Sequence, residues 1–224
     1  MRGFIGEQGW ADLLGLAVRR RHPAGSLLLR QGESGTHVLA VLRGVTKVVR
    51  HERDGNLTLL AFRGPGELLG EVAVLDDRKR SASVEAISEC VVGVVSRSRF
   101  LHFAEERDLF PVLVRYALNR LRESDQARSS RDVVARLAAV LVRLAESSQQ
   151  LAESSHRPVR RADSSLELAL TRDDLAQHLG ISRNTVTSAL GHLSEHVQVG
   201  RKRIVIDDLP ALHRVLEGRT SGDP

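Results

Sequence analysis

The chain has 224 residues, 42% of them hydrophobic and 27% charged, ordinary proportions for one large or two small folded domains. Only 3% are aromatic, so the core is expected to rest on Leu, Val and Ala, and a net charge of +5 is too small an excess to argue for nucleic-acid binding by itself. A single cysteine, Cys90, rules out a disulfide framework and an all-cysteine iron–sulfur cluster within one chain. No apolar run approaches a membrane span, and Met1 to Gln8 lack the pattern of a signal peptide, so a cytoplasmic location is expected, without membrane partners.

Residues 24–96 alternate short apolar runs with glycine turns: Ser26–Leu29, His37–Leu42, Thr46–Arg50, Leu57–Phe62, Ser83–Ile87 and Cys90–Val95. Asp54-Gly55 between two of them predicts a hairpin, and the spacing predicts a small antiparallel barrel or roll. Arg19-Arg20-Arg21 reads as a solvated face. From Ser98, expected to cap a helix through Glu105, the period becomes helical. Phe110, Val114, Ala117, Leu121 and Ser124 form one stripe on a long helix that must pack on the roll or on a partner helix. Val133, Val134, Leu137, Val140, Leu141 and Leu144 mark a second amphipathic helix. The Ser-rich, charged stretch 147–165 reads as a loop, and Leu166–Leu170 as a short strand. The expected division is a roll over 1–106, a long helix over 107–131 and a helical domain over 132–218, an α+β fold.

Thr171 followed by Asp174 resembles a capping box, and the helix it opens turns Leu175, Ala176 and Leu179 inward before Gly180 ends it. Ile181 reads as a buried plug. Ser182 then caps a second helix with Val186, Ala189, Leu190 and Leu193 inward. Helix, glycine turn and helix make a helix-turn-helix. The second helix presents Arg183, Asn184, Thr187 and Ser188, residue types that read base edges. A hairpin, Val197–Val199 and Arg203–Ile206, carries Arg201-Lys202-Arg203 at a wing's distance, suited to phosphate, and Asp207 is expected to cap a last helix to Leu216. Thr171, Ser182 and Thr185 join these as expected duplex contacts.

Gly66 to Ala73 precede Arg80-Ser81-Ala82. Gly70 allows close backbone approach, Glu71-Val72-Ala73 begin a helical turn, and free amides there suit phosphate. Arg80, expected on the next strand, adds a bidentate contact and Ser81 a hydroxyl. A carboxylate beside an anion site makes sense if Glu71 accepts from sugar hydroxyls, so the set fits a cyclic nucleotide.

Two motifs carry a resemblance. Thr171–Leu190, TRDDLAQHLGISRNTVTSAL, is similar to the recognition motif of the CRP/FNR transcription regulators, with Ser182-Arg183-Asn184-Thr185-Val186 matching its S-R-x-T-V core. Gly70-Glu71-Val72-Ala73 and Arg80-Ser81-Ala82 resemble the phosphate cassette of cyclic-nucleotide-binding domains. The resemblance implies a homodimer paired along the long helix, a near-palindromic double-stranded DNA operator, RNA polymerase as a further partner, and cyclic AMP or a related nucleotide as effector without a covalent cofactor. It places Arg183 on a base, sets Arg120 to reach Glu71, and puts Ser124 and Asp125 at the pair that meets the purine. Asn184 stands where glutamate is frequent and Ser188 where an arginine is used, so the operator should differ. The stretch from Ser124 to Asp132 is shorter than in the family, and Ala135 replaces a hinge glycine. The alternative is the same regulator with a vestigial cassette in which Glu71 and Arg80 form a structural ion pair.

His192-Leu193-Ser194-Glu195-His196 matches the inverted zinc-peptidase pattern H-x-x-E-H, but no third ligand follows, so neither a metal nor an enzyme is expected. Cys90, in an alternating strand, reads as a buried small hydrophobe.

Overall fold

The structure is a computed structural model that describes residues 1–126, 132–149 and 165–220, with backbone alone at 121–126, 149 and 217–220. It divides into two compact units, residues 1–126 and 127–224.

The first unit opens with α1 (Arg2–Gly15), kinked at Gly6, and β1 (Val18–His22). There follow β2 (Leu27–Leu29), β3 (His37–Arg43), β4 (Thr46–His51), β5 (Leu57–Arg63), β6 (Leu68–Leu69), α2 (Glu71–Leu75), β7 (Ser83–Ala86) and β8 (Cys90–Ser96). The strands form two antiparallel sheets, ordered β1-β8-β3-β6 and β2-β7-β4-β5. This is the expected roll. Strand periodicity explains how it is filled. Leu39 and Val41 of β3 point between the sheets, against Leu29, Leu69, Val84 and Val92. Their neighbours Val38 and Ala40 point the other way, onto Trp10 and Leu13 of α1 and onto two further helices. Those are α3 (Arg97–Glu106), giving Phe100 and Phe103, and α4 (Phe110–Gln126), giving Leu113 and Tyr116. The interior of the roll is aliphatic, as composition suggests, but the layer between sheet and helices takes up the scarce aromatics.

Two elements were not anticipated from the sequence, and one expected cap needs correction. Strand β1 and helix α1 have no counterpart in the sequence reading; Gly3, Gly6, Gly9 and Gly15 mask a helix held by tertiary packing of Trp10 and Leu13. The arginines of β1 are exposed, as expected, but they lie on an edge strand paired with β8. The cap of α3 is Ser96, whose extended backbone lets its Oγ accept from the Arg99 amide at 3.5 Å; Ser98 is inside the helix.

Helix α4 divides its apolar residues. Leu113 and Tyr116 are buried in the roll's outer core, whereas Phe110, Val114 and Leu118 are 45%, 59% and 49% exposed.

The second unit contains α5 (Val133–Gln149), β9 (Leu166–Leu168), α6 (Arg172–Leu179), α7 (Arg183–Gly191), β10 (Val197–Gly200), β11 (Arg203–Ile206) and α8 (Leu209–Thr220). Asp132 caps α5 by accepting from the Val134 and Ala135 amides at 2.9 and 3.1 Å. Leu137, Leu141 and Leu144 bury one face of α5, which packs on α6, α7 and α8. Strand β9 stops at Leu168 and completes the sheet β10-β11-β9. The cap of α8 is Asp208, accepting from the Ala211 amide at 2.8 Å, in place of the expected Asp207. Of the predicted loop 147–165, residues 150–164 lie outside the described residues.

Candidate ligand site and nucleic-acid interface

The cassette folds around one glycine. Gly70 holds φ at +78°, a left-handed conformation that costs an L side chain free energy, and a Cβ there would run into the Arg80 guanidinium. Helix α2 starts at the next residue. Glu71 and Ala73 are buried, Val72 is exposed, and all of them border a cavity of about 380 Å³. Its walls are largely apolar, with Leu29, Val48, Leu60 and Val84 facing it, and Ser81 and Ala82 are at its edge.

Arg80 is 4% exposed, and it lies in the loop before β7 instead of on the strand. Its Nη1 donates to the Gly70 carbonyl at 3.1 Å and its Nη2 to the His37 carbonyl at 2.7 Å. Burial pushes its pKa down, while Glu33 and Glu71 act in the opposite sense from a distance. Among the described residues no carboxylate stands within ion-pair range of it. A buried cation neutralised only by carbonyl dipoles is costly, and an anion entering the cavity would offset that cost. The Glu71–Arg80 ion pair of the alternative reading is not formed; Glu71, 6% exposed, is ion-paired with Arg120 of α4, as the resemblance implies. Arg120 also lies 4.8 Å over the Tyr116 ring. Burial pushes the Arg120 guanidinium down, but Glu71, Tyr116 and Glu67 outweigh it and hold the pKa above the ordinary value. Tyr116 in turn accepts from the Leu68 amide at 3.1 Å, so α4 is fixed to the cassette at two points. Ser124 and Asp125 are on α4, but their side chains lie outside the described residues.

Sequence reading missed two residues of this site, Tyr116 and Arg63. Arg63 is on the cavity wall with its side chain 11% exposed. The available signal was an arginine ending the otherwise apolar run of β5; the lone tyrosine of the chain, inside an amphipathic helix, reads as plain core.

In the second unit the caps expected for α6 and α7 are present. Thr171 and Asp174 form a reciprocal box, with Thr171 N to Asp174 Oδ2 at 2.8 Å and Asp174 N to Thr171 Oγ1 at 3.0 Å. Gly180 ends α6 with φ at +66°, and Ser182 Oγ accepts from the Thr185 amide at 3.1 Å. Val186, Ala189, Leu190 and Leu193 are buried, whereas Ile181 is only half-buried. Arg183, Asn184, Thr185, Thr187 and Ser188 are exposed on α7. Their hydroxyls are partly engaged: Thr187 donates to the Arg183 carbonyl at 2.9 Å, and Ser182 and Thr185 share a hydrogen bond of 2.8 Å. Arg183 Nε is 3.6 Å from Asp173. Arg201, Lys202 and Arg203 are exposed at the β10–β11 turn, where Lys202 has φ of +59°. Arg203 lies 3.7 Å from Glu167 of β9. One helix therefore carries a polar face free of bulky apolar residues, and the neighbouring hairpin carries three cations.

Helix α7 stops at Gly191, so residues 192–196 form a turn and the shared helix face that H-x-x-E-H requires is missing. Among the described residues no group of three or more His, Cys, Asp or Glu is gathered to hold a metal. Cys90 is buried, and burial pushes its thiol up to about 11. No helix among the described residues is long and apolar enough to cross a membrane.

Residues 19–107 match the model of the cyclic nucleotide-binding domain, and residues 135–215 match that of the Crp-like helix-turn-helix domain. The chain is 27% identical over 198 residues to a CRP-like cAMP-activated global transcriptional regulator of Mycobacterium tuberculosis, an overlap of 86% of this chain and 85% of that one. It is 28% identical over 203 residues to the cyclic AMP receptor protein of Thermus thermophilus, covering 89% and 88%. A putative cyclic nucleotide binding protein of Ruegeria pomeroyi superposes with a TM-score of 0.66 over 96% of this chain and 92% of that one, at 22% identity, a likeness of fold.

Proposed function

The chain belongs to the CRP-like transcription regulators, DNA-binding proteins with a cyclic-nucleotide-binding domain, and on that premise we propose a homodimer whose hold on DNA is set by a cyclic nucleotide, cyclic AMP or a relative of it, in the roll. The observation that carries the ligand is Arg80, a buried cation that lines a 380 Å³ cavity and has no carboxylate partner among the described residues. The phosphate would take Arg80 and Ser81, and the ribose hydroxyls Glu71. Two relatives described as cAMP-activated or cyclic AMP receptors support this ligand class.

The exposed row Phe110, Val114 and Leu118 supports the dimer: three large apolar side chains at helical spacing, turned away from the roll that buries Leu113 and Tyr116, fit a second copy of the helix. Transmission follows from two links. A ligand on Glu71 and Arg80 perturbs the Glu71–Arg120 pair and, through Tyr116 and Leu68, the seat of α4. The coupling required is differential affinity for two arrangements, typically about 1–3 kcal/mol. In the competent one, the paired α7 helices would enter successive major grooves roughly 34 Å apart on a near-palindrome. RNA polymerase as a partner is carried over from the family alone.

A second reading, a ligand-independent regulator, draws on the same geometry. Gly70 and His37 carbonyls already hold Arg80, and Arg120 already holds Glu71, so the cassette is internally satisfied. Calorimetry with cyclic nucleotides separates the two readings. Selection of bound sites from random DNA, with and without nucleotide, tests the proposal: a recovered near-palindrome whose enrichment depends on nucleotide supports it, and enrichment indifferent to nucleotide favours the second reading.

A further inference from the structure

Adjacent carboxylates, Asp173 and Asp174, open α6, and the fold gives them different work. Asp174 is buried and turned back to close the cap, where its Oδ2 accepts from both the amide and the hydroxyl of Thr171 at 2.8 Å. The cap is complete without Asp173. Asp173 points outward, its side chain 57% exposed, and its Oδ1 lies 3.6 Å from Nε of Arg183, the first residue of α7. The helix N-terminus favours a carboxylate at this position, so the charge is held where α6 meets α7. Among the described residues neither side chain has another hydrogen bond or ion pair. The guanidinium is therefore met at its Nε, while Nη1 and Nη2 are left without a protein acceptor among those residues.

An exposed pair of this kind contributes little to stability. Its consequence is for what Arg183 can reach. An unrestrained arginine beside a duplex swings onto phosphate, a contact that carries no sequence information. A carboxylate beside Nε opposes that swing, because it attracts the guanidinium and repels the phosphates. It leaves Nη1 and Nη2 to be presented together, the fork that fits the adjacent O6 and N7 acceptors of guanine. Adenine sets an amino donor where O6 would be and so rejects the fork. Glu167 stands 3.7 Å from Arg203 in a similar way, but Arg203 belongs to the hairpin suited to phosphate, so that carboxylate has a charge to temper and no base edge to select. Resting on the reading of α7 as the helix that enters the major groove, we propose that Asp173 is a positioning residue for DNA specificity: it aims Arg183 at guanine and holds it off phosphate.

Selection of bound sites from random DNA by the full chain, with and without cyclic AMP, tests this when native protein and variants are run side by side. Arg183→Ala should abolish a guanine preference at one base pair. Asp173→Asn should lower that preference about threefold to tenfold at the same pair. It should also raise affinity for random duplex at low salt. Asp173→Glu, which keeps the charge, should retain most of the preference. Glu167→Gln, with the same change of charge as Asp173→Asn, should strengthen binding to all sequences alike. Adding Asp173→Asn to Arg183→Ala should have no further effect at that pair, since the carboxylate acts through the arginine. Thermal melting confirms that each variant is folded, and a merely structural Asp173 would change binding to every sequence equally. A guanine preference unchanged in Asp173→Asn, or lowered as much in Glu167→Gln, overturns the inference and leaves α7 standing as the reading helix. Base preferences untouched by Arg183→Ala overturn both.

Discussion

The two units use charge in opposite ways. In the first, Glu71 and Arg80 are 6% and 4% exposed, and their positions are fixed by carbonyls and by Arg120. In the second, the side chains of Arg183 and Arg203 are 64% and 58% exposed and touch carboxylates only at 3.6 and 3.7 Å. A desolvated charge in a fixed frame discriminates small anions by shape and is little screened by salt. An exposed charge near a polyanion gains mainly by displacing counterions and is strongly salt-dependent. On the proposed function the same residue type would serve two kinds of recognition, with burial deciding which.

The sharpest break of this comparison is Arg80→Ala. Losing charge-assisted contacts at a buried site should weaken cyclic-nucleotide binding by roughly a hundredfold, about 3 kcal/mol, with little dependence on salt. Calorimetry at two salt concentrations reads both; unchanged affinity would detach the cavity from the ligand. Next comes Arg183→Ala, expected to cost about 1–3 kcal/mol on the preferred DNA site and to relax one base pair, whereas Lys202→Ala should weaken all sequences alike and lower the salt slope by about 1. Equal effects of these two variants on every sequence would show that α7 does not read bases.

Smaller again are the caps. Thr171→Ala or Ser182→Ala should each cost about 1 kcal/mol of stability in the second unit and leave the first unit's unfolding in place, which denaturant melts followed in both units can check. Cys90 comes last. Because burial pushes its thiol up to about 11, alkylation at pH 8 should be slow in the native protein and fast in denaturant. Rapid native labelling would show that β8 opens.

What the sequence discloses follows the range of the interactions. The box at Thr171 and Asp174, the left-handed Gly180 and the Ser182 cap are local, spanning a few residues, and each was legible. The roll was legible through its alternation and glycine turns. Helix α1 was not, because its glycines weaken the local signal and only contact with the rest of the outer core fixes it. Capping serines and aspartates two or fewer residues apart compete nearly evenly, which is why Ser96 and Asp208 act where Ser98 and Asp207 were expected. The partners of Arg80 are backbone carbonyls 10 and 43 residues away, and carbonyls carry no residue identity to read. The Glu71–Arg120 contact spans 49 residues and was reachable only through family resemblance. Arg63 needed the sheet register to place it on a cavity wall.

The claim at the centre is that nucleotide in the roll changes the hold of the second unit on DNA. Titrating a labelled, selected operator with the full chain, with and without saturating cyclic nucleotide, measures it in one experiment. The account predicts a change in DNA affinity of roughly fivefold to a hundredfold, matching the usual range of coupling free energies. Identical affinities with and without nucleotide, in a chain that calorimetry shows to be loaded, would contradict it.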